Sequence, residues 1–130
     1  MPAPALLANP WFSIALGAVL GAWARYGLSI WLNPRHAWIP LGTLAANLLG
    51  GLVIGLLLGL MERGTLDPAW RLLTVTGFLG ALTTFSTFSA EVTGLLAGGA
   101  LLQGLLLAAL HLAGSLLLTG AGLWLARVAS

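Results

Sequence analysis

The chain has no cysteine and no lysine, and only three acidic residues among its 130. Without cysteine there can be no disulfide, no thiol nucleophile and no thiolate metal site. The two histidines lie far apart in sequence, which leaves no spacing suited to a His-based metal centre. Charged residues make up only 6% of the chain. A water-soluble domain of this size needs more surface charge, so the composition points to the membrane class. The five basic residues are all arginine, and they give a formal net charge of +2. The sequence pI of about 10.6 rests on these few groups. They form no basic cluster, so nucleic acid is not an expected partner. The N-terminus also lacks the basic stretch of a secretory signal peptide. Its first apolar segment is long enough to be a mature spanning helix.

What fills the chain is apolar: 59% of its residues are hydrophobic and 18 are glycine. Four hydrophobic segments emerge, at about 11–32, 39–60, 69–96 and 101–127. The first ends at "NPRH", an Asn-Pro turn signal. The second carries Pro40 in its first turn, where proline is tolerated. Its roughly 22 residues at about 1.5 Å rise match a hydrocarbon core of roughly 30 Å. Between the second and third lies "MERGTLDPAWR" (Met61 to Arg71), the main polar loop, with Asp67-Pro68 reading as a helix start. "AGGA" (Ala97 to Ala100) is a short turn. The predicted fold is an all-α membrane protein, one transmembrane domain over 1–130.

The glycines are spaced for helix packing. Gly17 and Gly21 are four apart, and Gly51, Gly55 and Gly59 form a ridge on one face of the second helix. Small residues at this spacing let helix backbones approach closely in lipid. So short a chain makes a thin unit, and self-association is expected. Four spans put both termini and the central loop on one side, with Arg63, Arg71 and Arg127. The other side has Arg35, with Arg25 near the end of the first span. That is a weak bias under the positive-inside rule, compatible with insertion in both orientations.

A few polar residues sit inside the spans. Asn47 follows Thr43 by four and shares its face. It reads either as interhelical hydrogen-bond glue or as an amide donor facing a pathway. In the fourth span His111, Ser115 and Thr119 form one stripe, which reads as a polar track facing the bundle interior or a cavity. The third span holds "TTFSTFS", with Thr83, Thr84, Ser86, Thr87 and Ser89 around Phe85 and Phe88. Hydroxyls that compete for backbone bonds, after Gly77 and Gly80, favour a break in this helix. Broken spans occur only where protein or a water-filled site satisfies the freed groups. Phe85 and Phe88 are three apart and share a face, and phenyl edges carry partial positive charge. An anion lining can therefore be built from apolar side chains. Arg25 reads as a snorkelling anchor or as an anion-attracting vestibule charge. The role of Glu91 is open.

Three motifs in this order, "GAWARYG" (Gly21 to Gly27), "GTLAANLLG" (Gly42 to Gly50) and "GFLGALTTFSTFSAE" (Gly77 to Glu91), resemble the Fluc family of fluoride channels, also called CrcB proteins. The likeness covers nearly the whole chain, and the third motif is the most specific. The resemblance implies a dual-topology antiparallel homodimer with a broken third helix, two fluoride pores and a central structural sodium ion. It implies Phe85 and Phe88 as pore phenylalanines and Asn47 as the pore asparagine. Gly80 and Thr83 would offer backbone carbonyls to sodium, and Arg25 would be the vestibule arginine. Ser115 and Thr119 would continue the polar track, with Thr43, Thr84, Ser86 and Thr87 as further pore-side hydroxyls. His111 departs from the family, which often has Tyr there.

Fluoride is small and strongly hydrated, so a pore must replace its water with donors and still let it leave. The chain has no acid–base pair, nucleophile or cofactor motif, so no enzyme is expected. The expected function is passive fluoride export, with fluoride, lipid and a second copy as partners, in the inner or plasma membrane. Two other classes compete. A proton-coupled small multidrug exporter needs a membrane-embedded carboxylate, for which Glu91 is the only candidate. A non-transporting assembly subunit would explain the glycines but not the aligned polar residues.

Overall fold

The computed structural model describes residues 3–35 and 38–129. It is helical throughout. A short 3-10 turn (Ala5–Ala8) leads into α1 (Pro10–Leu32). Asn9 caps α1 by accepting from the Phe12 N–H at 3.2 Å, and Pro10 sits at the first position, where its missing N–H costs nothing. The predicted "NPRH" turn is a 3-10 turn over Asn33–Arg35, and its last residue lies outside the described residues. The Asn33 side chain then reaches the start of α2 (Leu41–Glu62), accepting from the Gly42 N–H at 2.6 Å.

The next stretch is compound. Asp67 caps α3 (Pro68–Arg71) by accepting from the Ala69 N–H at 2.8 Å, the helix start read from Asp67-Pro68. From Leu72 to Leu79 the coil widens to a π-helix. It narrows again in α4 (Gly80–Leu82), and α5 (Phe85–Ala97) follows. The predicted turn at Ala97 to Ala100 is a left-handed cap. Gly99 has φ 81°, and the Gly99 and Ala100 N–H groups bond back to the Leu96 and Leu95 carbonyls at 3.1 and 2.9 Å. The chain ends in α6 (Leu101–Val128). Among the described residues four helical segments are long and apolar enough to cross a membrane: Pro10–Leu32, Leu41–Glu62, Pro68–Ala97 and Leu101–Val128. The protein is a multi-pass membrane protein.

Glycine decides which helices touch. The α2 ridge faces α6. A Cβ on Gly55 would overlap the Thr119 carbonyl oxygen, and one on Gly122 would overlap the Leu52 carbonyl oxygen. The two backbones are thus in direct contact. Gly17 of α1 meets the π-helical stretch in the same way: a Cβ on Gly77 would lie 2.6 Å from the Ile14 carbonyl oxygen. At the polar end of the α2–α6 pair, Arg127 grips both Glu62 oxygens at 3.0 and 2.9 Å, and Arg63 donates to the Ala126 carbonyl.

Little of the chain is core. Ala46, Leu79 and Leu82 form a small buried cluster where α2 meets α4, with Ala24 and Leu28 of α1 packed against it. Most large apolar side chains point outward, as they do when lipid or another protein covers the surface. Trp11 and Trp31, near opposite ends of α1, are exposed, as interfacial aromatics are.

Gly55→Val should destabilise the α2–α6 pair by at least about 1–3 kcal/mol, because the new side chain meets backbone that cannot yield. The unfolding midpoint in detergent measures this. An unchanged midpoint would mean that the two backbones do not touch.

Candidate functional site

The site grows from a two-residue interruption. Thr83 closes α4, with its N–H and its hydroxyl both donating to the Leu79 carbonyl at 3.0 and 2.8 Å. Thr83 (φ −81°, ψ 153°) and Thr84 (φ −152°, ψ 119°) then run extended before α5 begins at Phe85. An extended residue between helices leaves its peptide groups without helical partners, which is costly away from water. Asn47 of α2 supplies both partners. Its Oδ1 accepts from the Thr84 N–H at 2.7 Å, and its Nδ2 donates to the Thr84 carbonyl at 3.0 Å. A side-chain amide here does what a neighbouring strand does in a sheet.

Thr84 also caps the helix that follows. Its hydroxyl oxygen accepts from the Thr87 N–H at 3.2 Å and lies 3.3 and 3.1 Å from the Ser86 and Thr87 hydroxyls. Of the five hydroxyls read in the sequence, those of Thr84, Ser86 and Thr87 therefore form one capping network.

Beyond Asn47 stands His111 of α6, 97% buried, with its Nδ1 3.1 Å from Asn47 Nδ2. Its ring lies against Phe88, with centroids 4.6 Å apart. Phe88 in turn meets Phe85 edge-to-face at 5.4 Å. The three rings form a ladder from a buried end at His111 to an outer end at Phe85, which is 78% exposed. They line a cleft of about 420 Å³, open on one side, with Asn47, Gly80, Thr83, Thr84 and Ser115 also in its wall. Among the described residues no acidic side chain and no arginine lines it. The Ser115 hydroxyl makes no hydrogen bond among the described residues.

The other expected residues divide. Asn47 stands in the cleft wall, with its Nδ2 donating to the Thr84 carbonyl and lying 3.1 Å from His111 Nδ1. Thr43 is buried and donates to Glu91 Oε1 at 2.6 Å, outside the cleft wall. That pair gives Glu91 a structural partner the sequence could not supply, since 48 positions separate them. Ser86 and Thr87 belong to the cap, and Thr119 turns its hydroxyl toward Gly51 of α2. Arg25, half-buried on α1, lies outside the cleft wall.

The backbone around the interruption presents free oxygens. An unbroken helix would aim the Thr84 N–H at the Gly80 carbonyl, but that N–H goes to Asn47. It would aim the Thr87 N–H at the Thr83 carbonyl, but that N–H goes to the Thr84 hydroxyl. Two neutral carbonyl oxygens are left, a donor set suited to a hard cation of low charge.

Comparison with known proteins decides the family. The pattern described as "CrcB-like protein, Camphor Resistance (CrcB)" matches residues 12–123. The chain belongs to the CrcB family. Its relatives extend over nearly its full length. It is similar to a protein named "Fluoride-specific ion channel FluC" from Thiobacillus denitrificans, with 52% identity over 86% of this chain and 91% of that one. A protein of the same name from Pseudomonas putida is 54% identical over 85% of this chain and 88% of that one. Another, from Albidiferax ferrireducens, is 56% identical over 85% of both. These CrcB relatives are named as ion channels, and none of these names is that of an enzyme. The matched region contains the interruption, Asn47, the three rings and Ser115.

Asn47→Leu should strip both partners from the Thr84 peptide. At about 1–3 kcal/mol for each buried group left unpaired, the loss of stability should be about 2–6 kcal/mol. Ser115→Ala, which breaks no hydrogen bond, should cost far less. Denaturation of the two variants side by side in the same detergent makes the comparison.

Proposed function

We propose that this protein is a fluoride-selective channel that lets fluoride leave the cell passively across the inner or plasma membrane. The observation that carries this reading is the ladder Phe85–Phe88–His111 in a cleft walled by no acidic side chain and no arginine, in a chain that belongs to the CrcB family. The names of its relatives supply the ion.

The chemistry of the wall suits a small anion. Ring edges present weak positive charge, and neighbouring rings can hand an ion on without a deep well. The Ser115 hydroxyl adds a true donor, and the hydroxyls of Thr84, Ser86 and Thr87 border the exposed ring. A fixed arginine in the wall would hold fluoride too tightly to release it. Asn47 serves as the clamp of the interruption, and Arg25 as a charge near the mouth. Glu91 is bonded to Thr43 outside the cleft wall, which weighs against the proton-coupled exporter.

The functional unit is two copies, inserted antiparallel. Two features support this: the cleft is open along one side with Phe85 exposed, and the arginines give a weak orientation bias. Thr83 and Thr84 are then the working break of the third span. Its freed Gly80 and Thr83 carbonyls would hold a structural sodium ion shared by the two copies. Sodium there would supply one positive charge to tie the two interruptions together. The chain's own part is to keep those four carbonyls unpaired, through Asn47 and the Thr84 cap.

Fluoride efflux from liposomes containing the purified protein tests the reading. Wild type should release fluoride and not chloride. Phe85→Ile and Phe88→Ile should each slow release at least about tenfold, the change that about 1.4 kcal/mol makes, because an aliphatic side chain has no positive edge. Near-wild-type release from both variants would falsify the assignment of the rings. A reporter fused to the C-terminus should be found on both sides of the membrane, and a single orientation would overturn the antiparallel pair.

A further inference from the structure

Asn47 and His111 meet through one bond, and its direction can be deduced. An asparagine amide can be turned either way, and an imidazole has two neutral tautomers, so neither residue alone fixes the protons. Thr84 does. Its N–H can only donate, and it faces Asn47 Oδ1 at 2.7 Å. Its carbonyl can only accept, and it faces Asn47 Nδ2 at 3.0 Å. Two backbone groups thus hold the amide in one orientation. Nδ2 is therefore the atom turned toward His111 Nδ1 at 3.1 Å, and an amide nitrogen has hydrogens to give and no lone pair to offer. Nδ1 must be the acceptor. The neutral ring then carries its proton on Nε2, a buried atom without a partner among the described residues.

A second proton can enter the ring only at Nδ1, because Nε2 already holds one. That would set N–H against N–H. Rotating the amide does not relieve the clash, since it would face Nδ2 with the Thr84 N–H and Oδ1 with the Thr84 carbonyl. We propose that His111 is a positioning residue of the interruption: with the amide turned by the Thr84 peptide groups, its bare Nδ1 takes the remaining amide hydrogen and completes the clamp, and a second proton on the ring opens that clamp.

The surroundings make the ring's proton the deciding charge. α6 packs on α2 and on α5. Beside His111, α2 presents Asn47, which is not titratable. Its one acid, Glu62, is at the far end of the helix and paired with Arg127 of α6. α5 presents Phe88 against the ring, and its one acid, Glu91, is bonded to Thr43, with no ion pair to His111 among the described residues. His111 lines the cleft, which gives protons a route to it.

The effect on ion flow rests on the fluoride-channel reading; the tautomer does not. Ring-nitrogen NMR of the full chain in lipid, labelled with 15N-histidine, reads the tautomer directly, with His111→Asn to tell its signals from those of the other histidine. Wild type near neutral pH should show Nε2 protonated and Nδ1 bare. In Asn47→Asp the facing carboxylate can only accept, so Nδ1 should become protonated. Protonated Nδ1 in wild type, or an unchanged ring in Asn47→Asp, overturns the proposal.

The second arm compares each protein's fluoride efflux at neutral pH with its own value in an acidic buffer. Wild type should slow about tenfold in the acidic buffer, as expected when a pair of hydrogen bonds is lost. His111→Asn places an amide oxygen near the former Nδ1 and cannot be protonated, so its ratio should stay close to one. Equal ratios in the two proteins overturn the opening of the clamp. A protein with the expected tautomers that carries no fluoride at any pH sinks the channel reading and leaves the positioning role of His111 standing.

Discussion

One side-chain amide holds the site together. A helix interrupted inside a membrane exposes peptide groups that lipid cannot satisfy. Asn47 takes both groups of the Thr84 peptide, and with them the cost of the interruption. Much follows from that exchange. With the Thr84 N–H committed to Asn47, the Gly80 carbonyl loses its helical donor. With Thr84 extended, its hydroxyl can turn to the Thr87 N–H and start α5. With α5 started at Phe85, the two phenylalanines fall on one side and Phe88 reaches His111.

The clamp works only if α2, the interrupted span and α6 stand in a fixed relation. Glycine provides that relation. The contact of Gly55 and Gly122 brings α2 and α6 backbone to backbone, which sets Asn47 and His111 at bonding distance. On the other side, Gly17 and Gly77 press α1 into the π-helical stretch. Wide helical turns tend to mark functional sites. Here the stretch carries the chain to the interruption. Few large side chains are buried, so the unit relies on close backbone packing more than on a thick apolar core.

Polar groups in such a unit serve two purposes that are easily confused. Thr43 is bonded to Glu91, and Asn47, Thr84 and Thr87 mostly satisfy one another or the backbone. Ser115 and the rings of Phe85 and Phe88 line the cleft without such bonds. The distinction is one of unspent hydrogen-bonding capacity, and only a full set of partners reveals it.

The sequence by itself determined the membrane class and the four spans, because hydropathy and length suffice against a bilayer of known thickness. It also determined the Asp67 cap, the Gly99 turn and the faces on which the glycines lie, since each depends on neighbours a few positions away. The family was legible in "GFLGALTTFSTFSAE", where so many hydroxyls around two phenylalanines in an apolar chain stand out. The partners were not legible. Asn47 to Thr84 spans 37 positions, Asn47 to His111 spans 64, and Thr43 to Glu91 spans 48. Periodicity says which face a residue occupies, but not what stands opposite. Only the tertiary structure decided that Asn47 spends its amide on a peptide and that Glu91 has a hydroxyl for company. The π-helical widening was equally hidden: it lies where Gly77 meets α1, a contact between residues far apart in sequence.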